Sequence, residues 1–483
     1  MTLVWRSEAL VAATRGRPFG TMPAGVTGIS IDSRTLQPGE AFFAIKGDRF
    51  DGHDFATAAI KAGAGLLVVS DGKLPALGRI NAPMIVVPDV LAALEMTGIA
   101  ARARSRAKIF AVTGSVGKTS TKEALRHALS SVGKVHASNR SFNNHWGVPL
   151  TLARMPEDAD YAIFEIGMNH PGEIRPLVKF VRPHIAIVTL IAAAHLGHFR
   201  GLEEIAAAKA EIFEGVERGG HALINRDDPR WKVLEKAARD AGIEHVWGFG
   251  AHARATFRLV DCELRGDGST LTAKMAGHEV VVPVGAPGRH IVQNVLAVLG
   301  AAYLAGADMS KVAKSLGNLR AEAGRGMRHT LRHPQGSFTL IDESYNANPA
   351  SMKAALELLQ SAPVGEGGRR IAVLGDMLEL GAYSERLHAG LADVVASTRP
   401  DIVLLGGQEM KALAATLPAE IRFEHMDDVE ALKTALLRTL RPGDAVMIKS
   451  SKSIGFSKLV DAMVAQFPAV EPPATESEQI DLN

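Results

Sequence analysis

Short apolar runs recur along the chain, most of them followed by a stretch with helical spacing, and that alternation predicts an α/β protein. In the first part, GISIDSRTLQPGEAFFAIKG predicts two short strands around a Pro-Gly turn. FATAAIKAGAGLLVVS then predicts a helix and a strand, PMIVVPD another strand, and VLAALEMTGIAARARSRA a helix. The middle part supplies the strands IFAVT, YAIFEIG, IAIVTLI and HALIN with helices between them, the pattern of a parallel doubly wound sheet. From about residue 318 the runs FTLIDES, RIAVLGD, DIVLLGG and DAVMIKS, each followed by a helical pattern, predict a second open parallel sheet of Rossmann type. At 483 residues the chain exceeds one ordinary domain. The expected division is 1–107, 108–318 and 319–467. A proline-rich, acidic tail, 468–483, has little to bury and is expected to be disordered.

Chemistry enters at IFAVTGSVGKTSTKE, where an apolar run meets a glycine turn and then a helical pattern. The full phosphate-loop pattern requires a further glycine where Val112 stands, so Gly114-Ser115-Val116-Gly117-Lys118-Thr119-Ser120 is a shortened version. The physical logic survives. Glycines let backbone N–H groups turn onto an anion, the helix N-terminus adds favourable partial charge, Lys118 reaches outer phosphates and Thr119 can ligate Mg²⁺. The loop predicts a bound nucleotide; it does not specify a reaction.

Composition narrows the setting. The hydrophobic fraction of 47% and charged fraction of 22% are those of a soluble globular chain. A formal net charge of +2 disfavours nucleic acid or an anionic membrane as principal partner. The single cysteine, Cys262, permits neither an internal disulfide nor a thiolate metal cluster. No signal peptide and no unbroken apolar membrane span is read, so a cytoplasmic protein is expected.

Two strands of the middle part end in polar residues, where open α/β sheets bind ligands. Glu165 closes YAIFE and is placed to ligate a nucleotide's Mg²⁺; without the phosphate loop, a strand-end acid satisfied by loop N–H groups would read equally well. His195 and His198 follow the next strand; neither earns metal status alone, and no HExxH or Cys/His array accompanies them. Lys209, in an alanine-rich amphipathic helix, reads plainly as a solvated lysine. In LIDESYNANPASMKAAL, helix capping accounts for Asn348 and Pro349 but not for the dense set Asp342, Ser344, Tyr345 and Asn346, which suits a polar ligand.

Taken together, TGSVGKTSTKE, EIGMNHPGEI, AAAHLGHF, AKAEIF, PGRHIVQN, DESYNANPASMKAAL and VLGDMLELG resemble the Mur ligases, ATP-dependent amide-forming enzymes of peptidoglycan precursor synthesis. The resemblance spans nearly the whole chain except the tail. Within the family, YNANP, GDMLELG and MNHPGEI are most similar to the member that joins D-alanyl-D-alanine to UDP-N-acetylmuramoyl-tripeptide. It implies a UDP-binding N-terminal domain, a central ATPase domain and a C-terminal ligase domain, acting as a monomer on those two substrates with ATP and Mg²⁺.

On this chain the resemblance implies that Lys118 holds the β- and γ-phosphates, that Thr119 and Glu165 hold one Mg²⁺, and that His195 approaches a second. Lys209 is then carbamylated, which reverses its plain reading. Asn294 and His290 face the adenine; Arg325, Asp342 and Asn346 close on the nucleotide; Ser33, Arg34 and Lys46 belong to the UDP site. Three departures from the family pattern stand out. Ile291 replaces an asparagine, Ser450 and Lys452 replace a glycine and an arginine, and Thr189-Leu190-Ile191 lacks a common asparagine. Rival readings are another Mur ligase, a folylpolyglutamate synthase-like ligase, or a nucleotide-binding switch.

Overall fold

The computed structural model describes residues 2–77, 79–138 and 141–470. Three sheets follow one another along the chain, with a small two-stranded ribbon, Trp5–Arg6 with Gly25–Val26, at the start. The first sheet has five strands in the order Arg17–Phe19, Met84–Val87, Leu66–Ser70, Ala41–Phe43, Ile29–Ser30, parallel except for the Arg17–Phe19 edge. Leu66–Val69 and Met84–Val87 are buried throughout, as expected of strands covered on both faces. This unit is anchored to the next by the buried Trp5 indole, whose Nε1 donates to Ala153 O (2.8 Å), and by Arg102 Nε donating to Val181 O (2.8 Å).

The second sheet has nine strands. Seven adjacent strands pair parallel, in the order Val135–Ala137, Tyr161–Glu165, Lys108–Thr113, Ile185–Val188, His221–Asn225, His245–Gly250, Phe257–Leu264. The chain leaves the adjacent strands Lys108–Thr113 and Ile185–Val188 in opposite directions, which opens the crevice where such sheets bind ligands. Beyond Phe257–Leu264 the sheet turns antiparallel through Ser269–Met275 and His278–Val284. The expected parallel doubly wound sheet is present, and an antiparallel hairpin extends it at this edge. Ser269–Met275 alternates between buried and more exposed positions, the signature of a half-buried strand, so this extension lacks the unbroken apolar runs that mark the parallel strands.

The third sheet runs Met327–His333, Gly336–Asp342, Ala445–Lys449, Arg370–Gly375, Ile402–Gly406, Phe423–Met426, parallel except for the polar Met327–His333 edge. Pro468–Val470 pair with that edge: Arg332 N donates to Pro468 O and Val470 N to Thr330 O, each at 2.8 Å. The start of the tail expected to be disordered is thus strand-paired, and residues 471–483 lie outside the described residues. Among the described residues no helix is long and apolar enough to cross a membrane.

Candidate active site

Strand Lys108–Thr113 is buried and delivers the chain into the glycine loop. Gly114 (φ +150°) and Gly117 (φ +88°) both adopt backbone conformations that side chains disfavour. Neither has room for a Cβ: one on Gly114 would collide with Thr189 Oγ1, and one on Gly117 would lie 2.6 Å from Asn294 Oδ1. The loop is fastened to the exit of the neighbouring strand, where Ser115 N donates to Leu190 O and Thr189 Oγ1 donates to Val116 O, both at 2.6 Å. Thr189, in the segment that departs from the family pattern, is therefore a structural pin of the loop. Helix Lys118–Leu129 starts directly after Gly117, and Lys118 Nζ lies back across the loop, donating to Gly114 O (2.7 Å).

Glu165 terminates strand Tyr161–Glu165 and is 2% exposed. Its Oε2 accepts from Thr119 Oγ1 (2.8 Å) and its Oε1 from Asn143 Nδ2 (2.7 Å); Ser141 Oγ stands 3.1 Å from the threonine hydroxyl. Among the described residues no Lys, Arg or His forms an ion pair with this carboxylate. A buried carboxylate met only by a hydroxyl and an amide, beside a phosphate loop, suits a hard divalent cation that takes its remaining oxygens from phosphate and water.

Lys209 lies in helix Leu202–Ala210 and is 2% exposed, not solvated as its plain reading suggested. Burial, and then the charge of Lys118, push its ammonium well below the usual lysine range. Burial also lowers the Lys118 pKa, against the pull of Glu165. The two lysines repel, so the site favours a neutral amine at Lys209. His195 adopts a left-handed conformation (φ +58°), and its Nδ1 lies 2.5 Å from Glu379 Oε2 of the third unit.

A cavity of about 730 Å³ lies between the second and third units. Its wall includes Ser115, Val116, Gly117, Lys118, Thr119, Ser120, Glu165, His195, His290, Asn294, Arg325 and Asn346. The structure thus brings together most of the residues singled out from sequence. Others lie elsewhere. Gly114 and Lys209 sit behind the wall. Asp342 is also absent from it, because its Oδ2 accepts from Gly324 N (2.6 Å) and its Oδ1 from Ser344 Oγ (2.6 Å), which ties two loops together. Ser33, Arg34 and Lys46 belong to the first unit; Arg34 is 86% exposed and forks onto Asp32. Ile291 is buried in the core of the second unit, so its departure from the family pattern does not remove a group from the cavity wall.

Sequence reasoning missed several wall residues. Asn143 comes from the polar SFNNHWG stretch, whose density of amides was a usable signal. Lys449, 2% exposed at the end of DAVMIK, donates from Nζ to Asn346 O (2.8 Å) and Glu343 Oε2 (3.2 Å), and so fastens the SYNANP loop from below. Tyr345, which the sequence did single out, is met by Arg325 at 4.1 Å and Lys452 at 5.1 Å from its ring centre, which lines this side with positive charge.

Comparison with known proteins matches three family profiles in chain order. These are the Mur ligase family catalytic domain over 25–102, the Mur ligase middle domain over 112–302 and the Mur ligase glutamate ligase domain over 327–452. The chain belongs to the Mur ligase family. Among curated Mur ligases, the UDP-N-acetylmuramoyl-tripeptide--D-alanyl-D-alanine ligase of Rickettsia prowazekii is 34% identical over 95% of this chain and 99% of its own length. That of Escherichia coli is 35% identical over 90% and 93%. A crystal structure of MurF from Acinetobacter baumannii superposes with a TM-score of 0.83 at 28% identity, covering 95% of this chain and 99% of that one. MurF ligase from Thermotoga maritima in complex with ADP gives 0.73 at 25% identity, covering 91% and 97%.

Proposed function

We propose that the protein is an ATP-dependent ligase that joins D-alanyl-D-alanine to the terminal carboxylate of UDP-N-acetylmuramoyl-tripeptide. The observation that carries this reading is the shared cavity, which sets the phosphate loop and Glu165 opposite the Arg325–Tyr345–Lys452 face of the third unit. The names of the curated relatives, aligned over nine-tenths or more of the chain, supply the substrates.

A carboxylate cannot be attacked by an amine at useful rate, because its oxygen is a poor leaving group. Transfer of the γ-phosphoryl group of ATP to the tripeptide carboxylate gives an acyl phosphate and ADP. The amine of the dipeptide then attacks the carbonyl carbon, the C–O bond to phosphate breaks, and the amide forms with release of a proton and inorganic phosphate. Both reactants of the first step are anions, so the chain must offset their repulsion. Lys118, freed from Gly114 O, is the cation on the phosphate side, and Arg325 and Lys452 supply charge from the opposite wall. Bound magnesium ions neutralise phosphate charge; Thr119 and Glu165 suit one, and His195 with a carbamylated Lys209 suits a second. The depressed pKa of Lys209 supports that last assignment, since only a neutral amine adds to carbon dioxide to give a carbamate and a proton. A cytoplasmic, monomeric enzyme fits the expected setting.

Acceptor choice tests the proposal. With ATP and the UDP-linked tripeptide, D-alanyl-D-alanine should yield the pentapeptide by mass, whereas single amino acids and glutamate should not. Equal turnover with glutamate would move the chain to another branch of the ligases.

A further inference from the structure

His195 stands on the second unit, yet the groups that fix it come from the third. Segment Asp376–Gly381 leaves strand Arg370–Gly375 and crosses to the His195 loop, where Gly197 N donates to Glu379 O (2.9 Å). At this crossing the two backbones leave no room for side chains. A Cβ on Gly381 would lie 2.7 Å from Gly197 Cα, and one on Gly197 would lie 3.0 Å from Gly381 N. Glu379 itself is left-handed (φ +63°), as is His195 (φ +58°), and such conformations cost non-glycine residues roughly 1 kcal/mol or more each. The strap is held from inside the third unit: Met377 N donates to the buried His388 Nε2 (2.9 Å), Leu378 N to Ser451 Oγ (2.9 Å), and Ser451 N to Asp376 O (3.0 Å). The result is a carboxylate whose Oε2 lies 2.5 Å from His195 Nδ1, off the line of an aligned hydrogen bond, while Nδ1 is sealed from solvent.

We propose that Glu379 is a positioning residue for His195: docking of the third unit brings its carboxylate against Nδ1, holds the imidazole in one tautomer and orientation, and so makes His195 competent only when the two units are together. The inference rests on the ligase reading for its kinetic consequence, but not for its structural one. Glu379 is 52% exposed, so its replacement should leave folding intact.

The test combines kinetics with a double-mutant cycle. Glu379→Gln should lower kcat roughly 10- to 100-fold with KM for ATP within about threefold and an unchanged Tm, and Glu379→Asp should recover part of the loss. In a His195→Ala background the same substitution should cost less than about twofold. Independently of turnover, ¹⁵N-histidine NMR should show one tautomer for His195 in the wild type and a mixture in Glu379→Gln. Wild-type turnover is the control: its absence indicts the ligase reading, whereas an unchanged His195 spectrum in the variant overturns this inference by itself. A loss carried by KM, or one as large in the His195→Ala background, would also overturn it.

Discussion

Glu165 is the residue on which the catalytic account leans hardest at the smallest scale. Its carboxylate is buried with only neutral donors, so Glu165→Gln should leave the fold nearly unchanged while removing the proposed cation ligand. We expect kcat to fall roughly 100- to 1,000-fold with Tm within a few degrees of wild type, measured by ADP formation and thermal melts. Lys209 gives a sharper chemical signature: ¹³C-bicarbonate should produce a carbamate resonance in the wild type that Lys209→Ala lacks. His136 carries a stability prediction. Burial holds its imidazole at about 4, below an ordinary 6.5, with Nε2 donating to Thr151 O at 2.7 Å. A histidine whose folded pKa is depressed favours the neutral form, so the unfolded chain binds the proton first as pH falls. Stability should therefore be intact above pH 6.5 and decline toward pH 4, by about 3 kcal/mol from this residue alone. Urea melts across that range should show the slope, and His136→Gln should flatten it.

Elements decide which of these residues meet. The glycine loop, the strand-end acid and the YNANP turn were legible in sequence because each sits where an apolar run stops and a helix begins. Capping shows this most directly: Asn348 Oδ1 accepts from Ser351 N and Ser351 Oγ accepts from Asn348 N, each at 2.9 Å, at the start of helix Pro349–Gln360. Asn348→Ala should cost about 1 kcal/mol in chemical denaturation, and because Asn348 also lines the cavity, KM for ATP should rise with it. What sequence hid was long-range. The antiparallel Phe257–Val284 extension alternates rather than running apolar, and the polar Met327–His333 edge offers too little hydrophobic signal. Lys209 looked solvated because its helix has alanine on several sides, and only the packed neighbours reveal that its ammonium is inside.

At the scale of the whole molecule, the site exists only where the second and third units face each other, and water must be kept from an acyl phosphate. Small-angle scattering should therefore report a smaller radius of gyration with an ATP analogue and the UDP-linked tripeptide than without them; an unchanged radius would contradict closure. The central claim, however, is the reaction. The most direct measurement is inorganic phosphate release from ATP and Mg²⁺ by the purified protein, with the UDP-linked tripeptide and D-alanyl-D-alanine each omitted in turn. The account predicts release that requires both, one phosphate per pentapeptide formed. Release indifferent to the dipeptide would contradict it.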